Sequence, residues 1–140
     1  MMRSASLKAC LEGPHLWFDE TANTLVKKDV ENAQKFAKEA RTKKDALDQI
    51  NTAYQAVYCA VMALLHSINY KATNFRCVIS VLEEYFIPKG ILDKKDLEEV
   101  LHALKLEGTP EESMNRADTF VAKIETICSA GVAPAKAATA

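Results

Sequence analysis

One segment limits what this chain can fold into. Residues 46–69 read ALDQINTAYQAVYCAVMALLHSIN. Ile50, Ala53, Tyr54, Val57, Val61, Leu64, Leu65 and Ile68 recur at spacings of three and four, the period of a helix. Ala56, Cys59, Ala60 and Ala63 make a second stripe of small residues beside the first. A helix apolar over most of its circumference must be contacted on more than one side. The segment therefore predicts the central helix of a bundle. Its small-residue stripe admits either another helix of the chain or a symmetry mate.

The remaining segments supply the neighbours. SLKACLEGP predicts a short helix with Leu7, Cys10 and Leu11 on one face, Gly13 as a left-handed cap and Pro14 as a stop. HLWFDE reads as an irregular segment anchored by burial of Trp17 and Phe18. Val26, Val30, Ala33, Ala37 and Ala40, flanked by Phe36, predict a long helix from about residue 23 to residue 41. TNFRCVISVLEEYF predicts a third core helix, capped by Thr73 or Asn74, with Phe75, Val78, Ile79, Leu82, Tyr85 and Phe86 apolar and Pro88 and Gly90 at its end. A helix capped by Asp93 follows, with Leu97, Val100, Leu101 and Leu104 inward. The last helix has the clearest start signal: Thr109 as N-cap, Pro110 in the first helical position and Glu112 closing a capping box. Its buried face is Ala117, Phe120, Val121, Ile124 and Ile127.

No segment predicts a strand, and no internal repeat is present. The expected fold is all-α, an antiparallel bundle of about five helices. It forms a single domain over residues 1–128, followed by an alanine-rich tail at 129–140 expected to be peripheral or mobile.

Composition narrows the function classes. At 140 residues, 49% hydrophobic and 26% charged, the chain can bury a core without staples. A net charge of −1 carries no global signature of nucleic-acid binding. The charge is uneven, however. Residues 1–80 hold eleven Lys/Arg against eight Asp/Glu, and residues 81–128 hold six against eleven. A basic half can feel an anionic partner locally. Cys10, Cys59, Cys77 and Cys128 form no C-x-x-C pair, and in apolar runs a free cysteine acts as a small hydrophobe. No leader-like apolar region opens the sequence, and no apolar run approaches the roughly 18 residues of a membrane span. A reducing, cytoplasmic compartment is the expectation.

Catalytic spacing is not visible. His15, His66 and His102 lie on different predicted elements and form no metal-binding pattern, so neither a metal nor a cofactor is expected. No glycine-rich phosphate loop occurs. The pairs Glu83-Glu84, Glu98-Glu99 and Glu111-Glu112 are adjacent in sequence, so their side chains do not face one another on a helix.

At the central segment, Ala53-Tyr54, Ala56, Tyr58, Ala60 and Ala63-Leu64-Leu65 are followed by Tyr70-Lys71 and Arg76-Cys77-Val78-Ile79. This run resembles the HEPN family. In that family an alanine-aromatic helix is followed by a short turn and a Ser-His-Arg type of opening to the next helix. LVKKDVENAQKFAKEA resembles the family's first long helix and ADTFVAKIETI its last, so the likeness covers about residues 5–128. The resemblance implies a four- or five-helix bundle that often pairs into a homodimer. Members include ribonuclease toxins and partners of small nucleotidyltransferases.

The ribonuclease members depend on an R-x4-6-H motif, which this sequence lacks. No histidine follows Arg76, Arg116, Arg3 or Arg41 at that spacing. Phe75 and Cys59 stand where the family carries histidines. A phenylalanine or a buried thiol cannot act as a base near neutral pH. The expectation is therefore a non-catalytic HEPN-like module that binds a protein partner or a nucleotide. Tyr70, Lys71, Asn74 and Arg76 are its candidate contact set, offering a stacking face, a point charge and a planar fork for phosphate at a helix start. Two alternatives stay open. Arg76 can be a structural residue paired with a carboxylate. The chain can also be a divergent ribonuclease that uses His66 or His102 as its base.

Overall fold

The computed structural model describes the backbone of residues 2–131 and the side chains of residues 7–131. It is 74% helical, with six α-helices and one small sheet among the described residues. In chain order these are α1 (Met2–Glu12), β1 (Leu16–Phe18), a 3₁₀ turn (Ala22–Leu25), α2 (Val26–Thr42), α3 (Ala46–Ser67), β2 (Tyr70–Ala72), α4 (Phe75–Val81), a π-helical turn (Leu82–Phe86), α5 (Lys94–Leu104) and α6 (Pro110–Ala130). No helix among the described residues is long and apolar enough to cross a membrane.

The bundle is built on α3, which packs against both α2 and α6, while α2 and α6 also touch each other. Asp45 starts α3 by accepting the backbone N–H groups of Leu47 and Asp48. Along its length Ala53, Ala56, Val57, Ala60, Val61, Ala63, Leu64 and Leu65 are buried. Removing Leu64 or Leu65 from water contributes about 1.5–3 kcal/mol each. The buried residues of α2 are Ala33, Ala37 and Ala40. Alanines on both helices let the axes approach closely. Ala56, Ala60 and Ala63 are no more than 1% exposed, so helices of the same chain fill most of the small-residue stripe and leave little there for a symmetry mate.

The structure contains two strands that the sequence does not announce. Leu16, Trp17 and Phe18 pair antiparallel with Ala72, Lys71 and Tyr70. Three-residue strands are too short to display an alternation, and these exist only through their pairing. Asn69 makes the connection after α3 with φ +66°, a left-handed conformation that asparagine tolerates better than most residues. Its carbonyl accepts the Asp19 N–H at 2.7 Å, and its side-chain oxygen accepts the Asn23 N–H at 3.0 Å. Within β1, Leu16 is the buried residue, whereas Trp17 and Phe18 are 40% and 50% exposed. The expected aromatic anchor is thus an aliphatic one.

Four further expectations change. Gly13 has no positive φ; its N–H continues the helical pattern to the Ala9 carbonyl at 3.0 Å. An added Cβ there would meet that same carbonyl oxygen at 3.3 Å, so the glycine serves close approach. The third core helix switches to a π-helical turn at Leu82, where Ile87 N–H reaches back five residues to the Leu82 carbonyl at 3.0 Å. Leu104 is 38% exposed, and Ala103 takes its inward position on α5. Helix α6 continues through Ser129 and Ala130; the rest of the expected tail, residues 132–140, lies outside the described residues.

The cysteines also differ from expectation. Cys10 of α1 and Cys77 of α4 form a disulfide with a Cα–Cα distance of 5.7 Å. They stand 67 residues apart, so only the fold brings them together. Cys59 and Cys128 are free and half-buried.

Candidate functional site

The four residues singled out by sequence share one corner of the molecule but not one role. Tyr70 is 2% exposed, with its ring edge-on to Phe18 at 5.7 Å, and burial pushes its phenol up. Lys71 is half-buried, with Nζ 3.2 Å from Asp19 Oδ2. Asp19 also accepts the Thr21 hydroxyl at 2.6 Å and the Thr21 N–H at 2.9 Å. These bonds to Thr21, with help from Lys71, bring its carboxyl down to about 2. Asn74 is the N-cap of α4 and accepts the Arg76 N–H at 2.8 Å. Tyr70, Lys71 and Asn74 are therefore occupied in holding the β1–β2 corner and the start of α4.

Arg76 is different. Its side chain is exposed, and among the described residues its guanidinium has no carboxylate within ion-pair distance. Phe75, its neighbour in sequence, stacks on Tyr58 of α3 at 5.5 Å with 28° between the planes. Tyr58 in turn meets Tyr54 one helical turn earlier, at 6.2 Å. Tyr58 is 37% exposed, and Tyr54 and Phe75 are half-buried. The result is an aromatic row across α3 and α4, with Arg76 next to Phe75 in sequence. Such a surface offers stacking faces and a bidentate donor. The i, i+4 spacing of Tyr54 and Tyr58 is legible in sequence. Their continuation onto Phe75 is not.

The histidines lie elsewhere. His66 is 9% exposed, and its Nδ1–H donates to Asp29 Oδ2 of α2 at 2.5 Å. It lines neither the α5–α6 groove nor the α2–α6 groove. His102 is exposed and meets Glu107 at 2.5 Å, and this bond keeps the Glu107 carboxyl below its ordinary range.

His102 borders a groove of about 860 Å³ between α5 and α6, together with Asp96, Glu99, Arg116 and Lys123. The groove's charges answer one another. Arg116 Nε donates to Glu99 at 2.8 Å, and Lys123 pairs with Asp96. A second groove of about 500 Å³ lies between α2 and the end of α6, lined by Val26, Val30, Glu31, Glu125 and Cys128.

Among the described residues no group of three or more His, Cys, Asp or Glu could hold a metal ion. The two free thiols are poor nucleophiles. Burial raises both, Cys128 to about 11, and the Asp29 charge adds to the effect. No protein-family model matches the chain, and no curated protein matches it.

Proposed function

We propose that this chain is a non-catalytic, HEPN-like helical module that binds a partner protein through the surface formed by Tyr58, Phe75 and Arg76. The observation that carries the proposal is the stacked, partly exposed pair Tyr58 and Phe75, with the exposed Arg76, which makes no ion pair among the described residues, next to Phe75 in sequence. Tyrosine, phenylalanine and arginine are the residues enriched at the centres of protein interfaces. The α5–α6 and α2–α6 grooves are lined by none of Tyr58, Phe75 and Arg76, so a small ligand on this surface would be little enclosed, whereas a protein would cover it. The resemblance in the central helix adds the partner class: a nucleotidyltransferase encoded beside this chain in a toxin–antitoxin type of pair, or a second copy of the chain. A cytoplasmic location goes with this reading.

A free nucleotide or short RNA is the second reading, favoured by the same guanidinium and rings, which suit a phosphate and a base. Co-expression with the product of the adjacent reading frame, followed by light scattering, tests the first. A complex heavier than either chain is the expected result. A lone 15.5 kDa species would overturn the partner reading. A melting-temperature rise with ATP, GTP, AMP or a short RNA on the isolated chain would favour the second instead.

A further inference from the structure

Helix α1 is attached to the fold in an unusual way. It packs chiefly on α4, the π-helical turn and β1, away from the α2–α3–α6 centre. None of its described side chains, residues 7–12, is fully buried. Leu7, Cys10 and Leu11 touch the core from its edge. At 11 residues it is below the roughly 12–15 at which an isolated helix persists in water. Beyond the main chain that runs on from Glu12 to β1, its covalent tie to the body is the bond from Cys10 to Cys77.

We propose that the Cys10–Cys77 disulfide is a redox-operated latch, which holds α1 on α4 when closed and releases it when a dithiol reductant opens it. The inference stands apart from the Arg76 surface and does not depend on it. Cys10 is half-buried and Cys77 is 5% exposed, so the approachable sulfur is that of Cys10. A thiolate of the reductant attacks Cys10 Sγ. The S–S bond breaks, and Cys77 Sγ leaves with the electron pair and takes a proton. The reductant's second thiolate attacks the mixed disulfide, and Cys10 Sγ leaves and is protonated. Two electrons pass to the protein, and the reductant becomes a disulfide. An oxidised dithiol closes the latch by the reverse steps.

The other two cysteines do not interfere. Cys59 and Cys128 are half-buried, with thiols raised by burial, and they form no bond in the structure. In a reducing compartment, disulfides that do form are usually transient or redox-sensing rather than permanent staples.

The test treats the native chain with dithiothreitol and reads two quantities. Alkylation after quenching and unfolding counts thiols: two are expected when the bond is closed, and all four cysteines when it is open. Amide exchange follows the helices. On reduction the amides of residues 7–12 should exchange at least ~10-fold faster, while residues 53–65 stay protected and the chain still melts cooperatively. The double variant Cys10→Ser/Cys77→Ser should match the reduced chain without reductant and ignore dithiothreitol. The latch is overturned if the native bond resists dithiothreitol, if it opens with α1 exchange unchanged, or if all helices lose protection together.

Discussion

His66 of α3 donates its Nδ1–H to Asp29 of α2 at 2.5 Å, with the two side chains 11% and 19% exposed. This is a polar clamp between the two helices that pack most extensively. Removing either partner leaves a largely buried polar group unsatisfied. Asp29→Ala and His66→Ala should each lower stability by about 1–3 kcal/mol in urea unfolding. The double variant should lose less than the sum, because the second change removes a group already without its partner. If His66 were instead the base of a divergent ribonuclease, His66→Ala would abolish an RNA cleavage seen with the native chain.

The disulfide closes a long loop. With its ends 67 residues apart in sequence, the chain-entropy relation gives a stabilisation of about 4 kcal/mol. The Cys10→Ser/Cys77→Ser chain should therefore unfold at lower denaturant than the oxidised chain, with a deficit of that order. The reduced native chain should match the variant. Equal midpoints for the oxidised and reduced chains would show that the bond does not restrain the unfolded state.

The start of α6 depends on three neighbouring residues. Thr109 accepts the Glu112 N–H at 3.1 Å, and Glu112 accepts the Thr109 N–H at 2.8 Å. Thr109→Ala should cost about 1 kcal/mol. Gly108 has φ +94°, and a Cβ there would lie 2.9 Å from Glu112 Oε1. Gly108→Ala should thus cost about 1 kcal/mol or more, since it strains the backbone and displaces the carboxylate from the cap. Thermal melts of the two variants check both values.

Asp19 gives stability a pH dependence of known sign. Its folded carboxyl lies at about 2 against an ordinary 3.8, chiefly through the Thr21 bonds. The stabilisation is complete above pH 4 and is lost as pH falls through 2. Asp19→Asn should lower the melting temperature by a constant amount above pH 4, and the gap to the native chain should close between pH 4 and pH 2. A gap that persists at pH 2 would place the acid sensitivity elsewhere.

Much of the bundle is legible in the sequence because its signals are local. The capping box at Thr109 and Glu112, the stop at Pro88 and the apolar periods of α2, α3 and α6 each lie within a few turns of chain. What escapes is non-local. The β1–β2 pair has three residues a side and no pattern of its own. Cys10 meets Cys77 only once α1 lies on α4. Trp17 and Phe18 look like anchors by size, yet of the three strand residues only Leu16 is buried. Arg76 stands out in the sequence as a basic residue opening an apolar helix. The aromatic pair next to it in the chain is only half legible, because Tyr58 and Phe75 meet across two helices. Tyr70 and Lys71 look like contacts in one dimension; in three, Tyr70 is buried against Phe18 and Lys71 pairs with Asp19.

The most direct test of the account is a binding titration of the native chain and of Arg76→Ala against the product of the adjacent reading frame, with a thermal melt of each. Arg76 is exposed and makes no ion pair among the described residues, so the variant should melt within about 0.5 kcal/mol of the native chain. Its affinity should nevertheless fall at least ~10-fold, the loss expected when an interface arginine is truncated. Unchanged affinity, or a loss of stability as large as the loss of binding, would contradict the assignment of this surface.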